Sequence, residues 1–80
     1  MYLLREKGFK MREWIGEYFL VTQEFQTYKN EWVEKSISLG KCLGWDEACE
    51  KAVLAIMREF ANSKIRETYI VNGWGQIQYM

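Results

Sequence analysis

Eighty residues with eleven basic and eleven acidic side chains leave room for one domain, residues 1–80, with no net charge. The chain is 49% hydrophobic and 16% aromatic, and it lacks proline. That composition excludes intrinsic disorder, and the zero balance removes the overall cationic surplus by which a protein neutralises phosphates. No run approaches the roughly eighteen apolar residues of a membrane-spanning helix. The N-terminal stretch turns charged at Arg5, too early for a signal peptide, so the expected location is the cytoplasm.

Residues 1–16 carry Arg5, Lys7, Lys10 and Arg12 against Glu6 and Glu13. Gly8 and Gly16 bracket a short N-terminal helix or arm. The four cations are interleaved with Phe9, Met11 and Trp14. Such a segment can place cations on phosphates and rings on bases, which makes it a candidate site for an anionic ligand, a nucleic acid or a nucleotide. For a nucleotide, an aromatic pocket at an oligomer interface would enclose the base. The plainer reading is a solvated turn whose apolar residues pack on the rest of the fold.

Residues 11–39 carry two competing patterns. Trp14, Tyr18, Val21, Phe25, Tyr28 and Trp32 recur at helical spacing. The run from Tyr18 to Thr22 is β-prone, and Val33, Ile37 and Leu39 lie at odd positions among polar neighbours, with Lys35 between them. Ser36 and Ser38 also disfavour a helix interior. The stronger reading is two strands near 17–27 and 31–38 joined by a turn at Lys29 and Asn30. The weaker one is a single long helix.

Between Ser38 and Asp46, Gly40, Lys41 and Gly44 give a superficial likeness to a phosphate-binding loop. The spacing is wrong, and the aspartate would repel a phosphate. A strand-to-helix loop with two glycine turns is expected instead. A helix should follow from Asp46, as N-cap, to Ala61. Cys49, Ala52, Val53, Ile56 and Phe60 form its apolar face, widened by Ala48 and Ala55. Ile56→Asp should therefore unfold the domain.

Asn72 and Gly73 suit a two-residue type I′ turn. It would join strands Ile65–Val71 and Trp74–Met80, pairing Val71 with Trp74, Tyr69 with Gln76 and Ile65 with Met80. One face would then carry Ile65, Tyr69, Val71, Trp74 and Met80, and the other Ile70, Ile77 and Tyr79. The expected fold class is α+β: a small antiparallel sheet of two hairpins packed on one amphipathic helix, with the short N-terminal helix or arm.

Chemistry-bearing groups are sparse. There is no histidine to serve as a base for a serine or cysteine nucleophile. Cys42 and Cys49 read as reduced thiols rather than a disulfide or half of a zinc site. No metal, cofactor or catalytic residue is expected. The aromatic excess points elsewhere. A two-layer domain of this size cannot hide thirteen aromatic side chains, and exposed rings are favoured at binding hot spots. Trp14, Trp32, Trp45, Trp74 and Tyr79 are therefore the candidate residues of a protein interface, with a homo-oligomer as one form it can take.

In size, lone-domain build and lack of catalytic groups, the chain resembles the small orphan proteins encoded by phages and mobile elements. Inhibitors of host defence systems, anti-CRISPR proteins among them, belong to that group. The resemblance implies a non-enzymatic, stoichiometric inhibitor. It rests on no motif and assigns no residue.

Overall fold

A computed structural model describes residues 15–80. The expected N-terminal helix or arm, together with Arg5, Lys7, Lys10, Arg12 and Trp14, lies outside them. β1 (Gly16–Gln26) is apolar on both sides, with Tyr18 and Leu20 on one face and Phe19 and Val21 on the other. Such a strand is satisfied at the centre of a sheet, and β1 is central. It pairs antiparallel with β2 (Glu31–Cys42) on one side and with β3 (Ile65–Val71) on the other. A short β4 (Ile77–Tyr79) completes a four-stranded sheet of order β2-β1-β3-β4. The helix α1 (Trp45–Glu59) crosses one face. The α+β architecture, two hairpins and one helix, is the one the sequence predicts. Residues 16–42 are two strands and not a long helix. No helix among the described residues is long and apolar enough to cross a membrane.

The core lies between α1 and one face of the sheet. Tyr18, Leu20, Leu39, Cys42, Phe60 and Ile70 are buried there against a stripe of Ala48, Ala52 and Ala55. Three alanines let the helix backbone approach the sheet closely, so the large side chains come mainly from the strands. Val53, expected on this face, is instead exposed, as are Leu54 and Met57. The alanine stripe is what turns toward the sheet, and Val53 lies beyond its edge. Ile56 packs against the core from the margin and is only half-buried. An aspartate there keeps a path to water, so Ala48 and Ala52, with no exposed surface, are the helix positions least able to accept one.

Local chemistry shifts several boundaries. β2 runs on to Cys42 rather than ending at Ser38, because an irregularity between Tyr18 and Phe19 absorbs one extra residue, Leu39. Gly40 takes the left-handed backbone (φ 79°) that this requires. Only Leu43 and Gly44 are left to form the expected glycine loop. The helix N-cap is Gly44, not Asp46, and it makes no side-chain cap bond. Asp46 instead sits in the first turn, where the helix dipole favours negative charge. Glu47 reaches back to accept the Leu43 N–H at 2.8 Å.

The C-terminal hairpin differs most. Val71 pairs with Ile77 and Tyr69 with Tyr79, so the connection is five residues long rather than two. Asn72 is buried and organises it. Its Oδ1 accepts the Trp74 and Gln76 N–H groups at 3.0 and 2.9 Å, and its Nδ2 donates to the Gln76 side chain. Gly75, not Gly73, supplies the positive φ (82°). The side chain of Asn72 thus closes the loop itself, in the manner of an Asx turn, and outcompetes the type I′ geometry. Moving the register by an odd number turns β4 over. Tyr79 therefore shares a face with Tyr69, not with Ile70.

A second irregularity lies opposite Thr22. Between Val21 and Gln23, β1 advances two residues while β3 advances three, from Tyr69 to Arg66. Glu67 is the extra residue, at φ 51°. The bulge puts Ile65 and Ile70 on the helix side together, although their numbers differ by five and strict alternation would part them. Thr22 seals it. Its buried hydroxyl donates to the Arg66 carbonyl at 3.1 Å and accepts from the Thr68 hydroxyl at 2.7 Å. Thr22→Val removes both bonds at nearly constant shape. The expected cost is about 1–2 kcal/mol of stability, read as a lower urea midpoint.

Candidate interaction face

The sheet face opposite α1 is built by alternation. β1 contributes Phe19, Val21 and Phe25, β2 contributes Trp32, β3 contributes Tyr69 and Val71, and β4 contributes Ile77 and Tyr79. The register lines these up in rows. Val21, Tyr69 and Tyr79 lie across three adjacent strands, and Phe19, Val71 and Ile77 form the next row. The Tyr69 and Tyr79 rings sit 5.4 Å apart and tilted, within the range of favourable aromatic pairs. Exposure rises toward the short edge strand. Val21 is buried and Tyr69 half-buried, while Ile77 and Tyr79 keep 51% and 70% of their surface in water. Among the described elements the only helix is on the other side.

At the far end of the same face Phe25 meets Trp32 edge-on, with ring centres 5.3 Å apart. The Arg66 guanidinium lies 4.1 Å from the Trp32 ring centre, a cation–π contact, while its Nε donates to Gln23 at 2.7 Å. Cross-strand neighbours on this face bring both signs of charge. Lys41 stands opposite Glu17, and Glu34 opposite Gln23. The result is an apolar centre with a mixed polar surround.

The candidate interface residues do not all meet. Trp32 and Tyr79 share this face but lie on its two outer strands. Trp45, the first residue of α1, is on the other side, half-buried against the core and edge-on to Tyr18 at 5.2 Å and 81°. Trp74 sits in the β3–β4 loop, 52% exposed. Sequence reasoning missed Phe19, Val21, Tyr69 and Ile77 as members of one face. A signal for the first two was present, since the Tyr18–Val21 run is apolar at odd and even positions alike. The register that brings Ile77 beside Val71 depends on the Asn72 loop and leaves no such trace.

Cys42 and Cys49 are both free thiols. Cys42 is buried, and its Sγ lies 3.6 Å from the Gly40 carbonyl oxygen. Burial raises its pKa, with nearby Lys51 opposing and Glu47 adding to the shift. The folded state therefore holds this thiol protonated to higher pH than the unfolded chain does. Its contribution to stability is complete below the ordinary thiol pKa and is lost as pH rises through the raised value. Cys49, half-buried at the helix surface, should react with an aromatic disulfide reagent at pH 8 well before Cys42. Equal rates would mean that the end of β2 opens readily.

The described chain is thus a one-helix, four-stranded antiparallel α+β domain with an apolar outer sheet face. Comparison with known proteins gives no match: no family model, no curated protein and no solved structure is significantly similar to this chain.

Proposed function

We propose that this protein is a non-enzymatic binding protein that acts by laying the outer face of its sheet on a protein partner. The observation that carries the reading is the contiguous apolar row structure of Phe19, Val21, Tyr69, Val71, Ile77 and Tyr79, most exposed at Ile77 and Tyr79. Rigid rings in a sheet lose little conformational entropy on binding, so their area converts efficiently into affinity. Neutral net charge suits a protein partner better than a polyphosphate one. Together with the resemblance to small phage-type proteins, this supports the finer reading of a stoichiometric inhibitor of a host-defence protein.

The test has two arms. Light scattering on the purified protein reports self-association, and affinity capture from bacterial lysate with mass spectrometry reports a foreign partner. A monomer that captures nothing would overturn the reading. Salt-dependent binding of an oligonucleotide, abolished by neutralising Arg5, Lys7, Lys10 and Arg12, would replace it with the nucleic-acid alternative.

A further inference from the structure

Among the described residues the sheet has two open edges, and they differ in chemistry. β2, on one side, carries the exposed charges Glu31, Glu34, Lys35 and Lys41 and the bulge at Leu39. Charge and bulges are devices by which an edge strand refuses a neighbour. β4, on the other side, has neither. Residues 68–80 contain no charged side chain and no proline. Ile77, Tyr79 and Met80 are exposed.

The hydrogen bonds of the hairpin fix which way the β4 backbone points. The Asn72 N–H donates to the Gln76 carbonyl and the Met80 N–H to the Thr68 carbonyl, both at 3.1 Å. In the same register Ile70 stands opposite Gln78, so Gln76, Gln78 and Met80 are the residues that bond back to the preceding strand. Ile77 and Tyr79 occupy the alternate sites, opposite Val71 and Tyr69. Their N–H and C=O groups therefore turn away from β3. Among the described residues no strand receives them.

We propose that β4 pairs antiparallel with β4 of a second copy of this chain, about a two-fold axis at Gln78, and joins two four-stranded sheets into one. In that register Ile77 of each copy lies opposite Tyr79 of the other, and every outward N–H meets an outward C=O. On the outer face this makes β-branched–aromatic cross-strand pairs, which favour association. Gln78 faces its own counterpart, and two amides hydrogen-bond without opposing like charges. The chemistry selects a copy over other strands. An acidic or basic partner strand finds no counter-charge on β4. β2 of another copy would bring Glu34 and Lys35 against an apolar edge, and head-to-tail pairing of that kind builds an open filament. The two-fold arrangement closes at two copies, because both outermost strands are then the charged, bulged β2. A seam of three residues per strand buries less than the roughly 1,200 Å² of a stable interface, so the dimer is weak and reversible. The inference does not rest on the outer-face reading, since it concerns the backbone edge and leaves both faces open.

Sedimentation equilibrium on the full chain, from micromolar to millimolar protein, is expected to show monomer and dimer in exchange. Gln78 is exposed and turns to the helix side, where its Nε2 donates to Cys49 Sγ at 3.5 Å, so charging it leaves the outer face unaltered. Gln78→Lys and Gln78→Glu should each weaken the dimer by about tenfold or more, because like charges then meet at the axis. An equimolar mixture of the two variants should associate at least as tightly as the parent, a recovery that a damaged fold cannot give. A chain synthesised with an N-methylated Tyr79 amide keeps every side chain and every bond to β3, and it should stay monomeric. The inference is overturned by a monomer at millimolar protein, by an undiminished dimer in either charged variant alone, by no recovery on mixing, by a dimer of the N-methylated chain, or by a mass that grows past two copies. The Gln78 variants retain the outer face, so their capture of a foreign partner tests that reading separately.

Discussion

Ile70→Ala is expected to lower the free energy of unfolding by about 2–5 kcal/mol, the range for truncating a fully buried isoleucine. Ile70 has no exposed surface and stands directly across from Leu20, also fully buried, in the middle of the layer under α1. The three alanines of α1 above it cannot swell to fill the gap, and the sheet on either side is held by its hydrogen bonds. The hole therefore persists, which places the cost toward the upper half of the range. A domain of this length has a total stability of only about 5–10 kcal/mol, so the variant should be close to unfolding at 37 °C. Urea denaturation followed by circular dichroism reads the effect as a lower midpoint at similar slope. Val53→Ala, on the exposed side of the helix, is the control and should change stability by less than about 0.5 kcal/mol. A cost under about 1 kcal/mol at Ile70 would show that the layer between helix and sheet is not tightly packed.

The second large effect is on binding rather than folding. Ile77→Ser with Tyr79→Ser should reduce partner affinity by about a hundredfold or more, since one hot-spot ring alone is worth about 2 kcal/mol or more. Both side chains are mostly in water in the lone chain, and β4 is a three-residue edge. Folding should lose only about 1 kcal/mol, largely from the Tyr69–Tyr79 ring pair. Surface plasmon resonance against the captured partner, or the dimer constant if the partner is a second copy, measures the loss. Trp45→Ala provides the contrast. Its ring packs on Tyr18 in the core, so stability should fall there in step with any loss of binding. If the double serine variant binds as the parent does, the outer face is not the interface.

The elements that stand on side-chain periodicity were readable in the chain. The strand alternation of Val33, Ile37 and Leu39 places those residues where the structure does, and the helical recurrence of Cys49, Ala52, Ile56 and Phe60, widened by Ala48 and Ala55, finds the packed side of α1 but wrongly includes Val53. The failures come where one side chain settles the backbone. Asn72 hydrogen-bonds its own loop and converts an expected two-residue turn into a five-residue one, which inverts β4. Glu67 and Leu39 mark inserted residues that no local propensity announces, because a bulge is decided by the partner strand. The candidate interface inherits this pattern. That aromatic side chains exceed what a small core can hold follows from composition alone. Which of them share a face depends on register, so Trp32 and Tyr79 fall on the open side, while Trp45 belongs to the packed one.

The single inserted glutamate in β3 has an evolutionary corollary. Losing that one codon would restore strict alternation and set the two ends of the strand at odds: either Ile65 or Ile70 would have to leave the interior, and Tyr69 and Val71 would trade places with it. Insertions and deletions near position 67 should therefore be far more damaging than any substitution there, and a deep mutational scan that includes single-codon deletions would reveal it as a sharp difference between deletion and substitution at that one position.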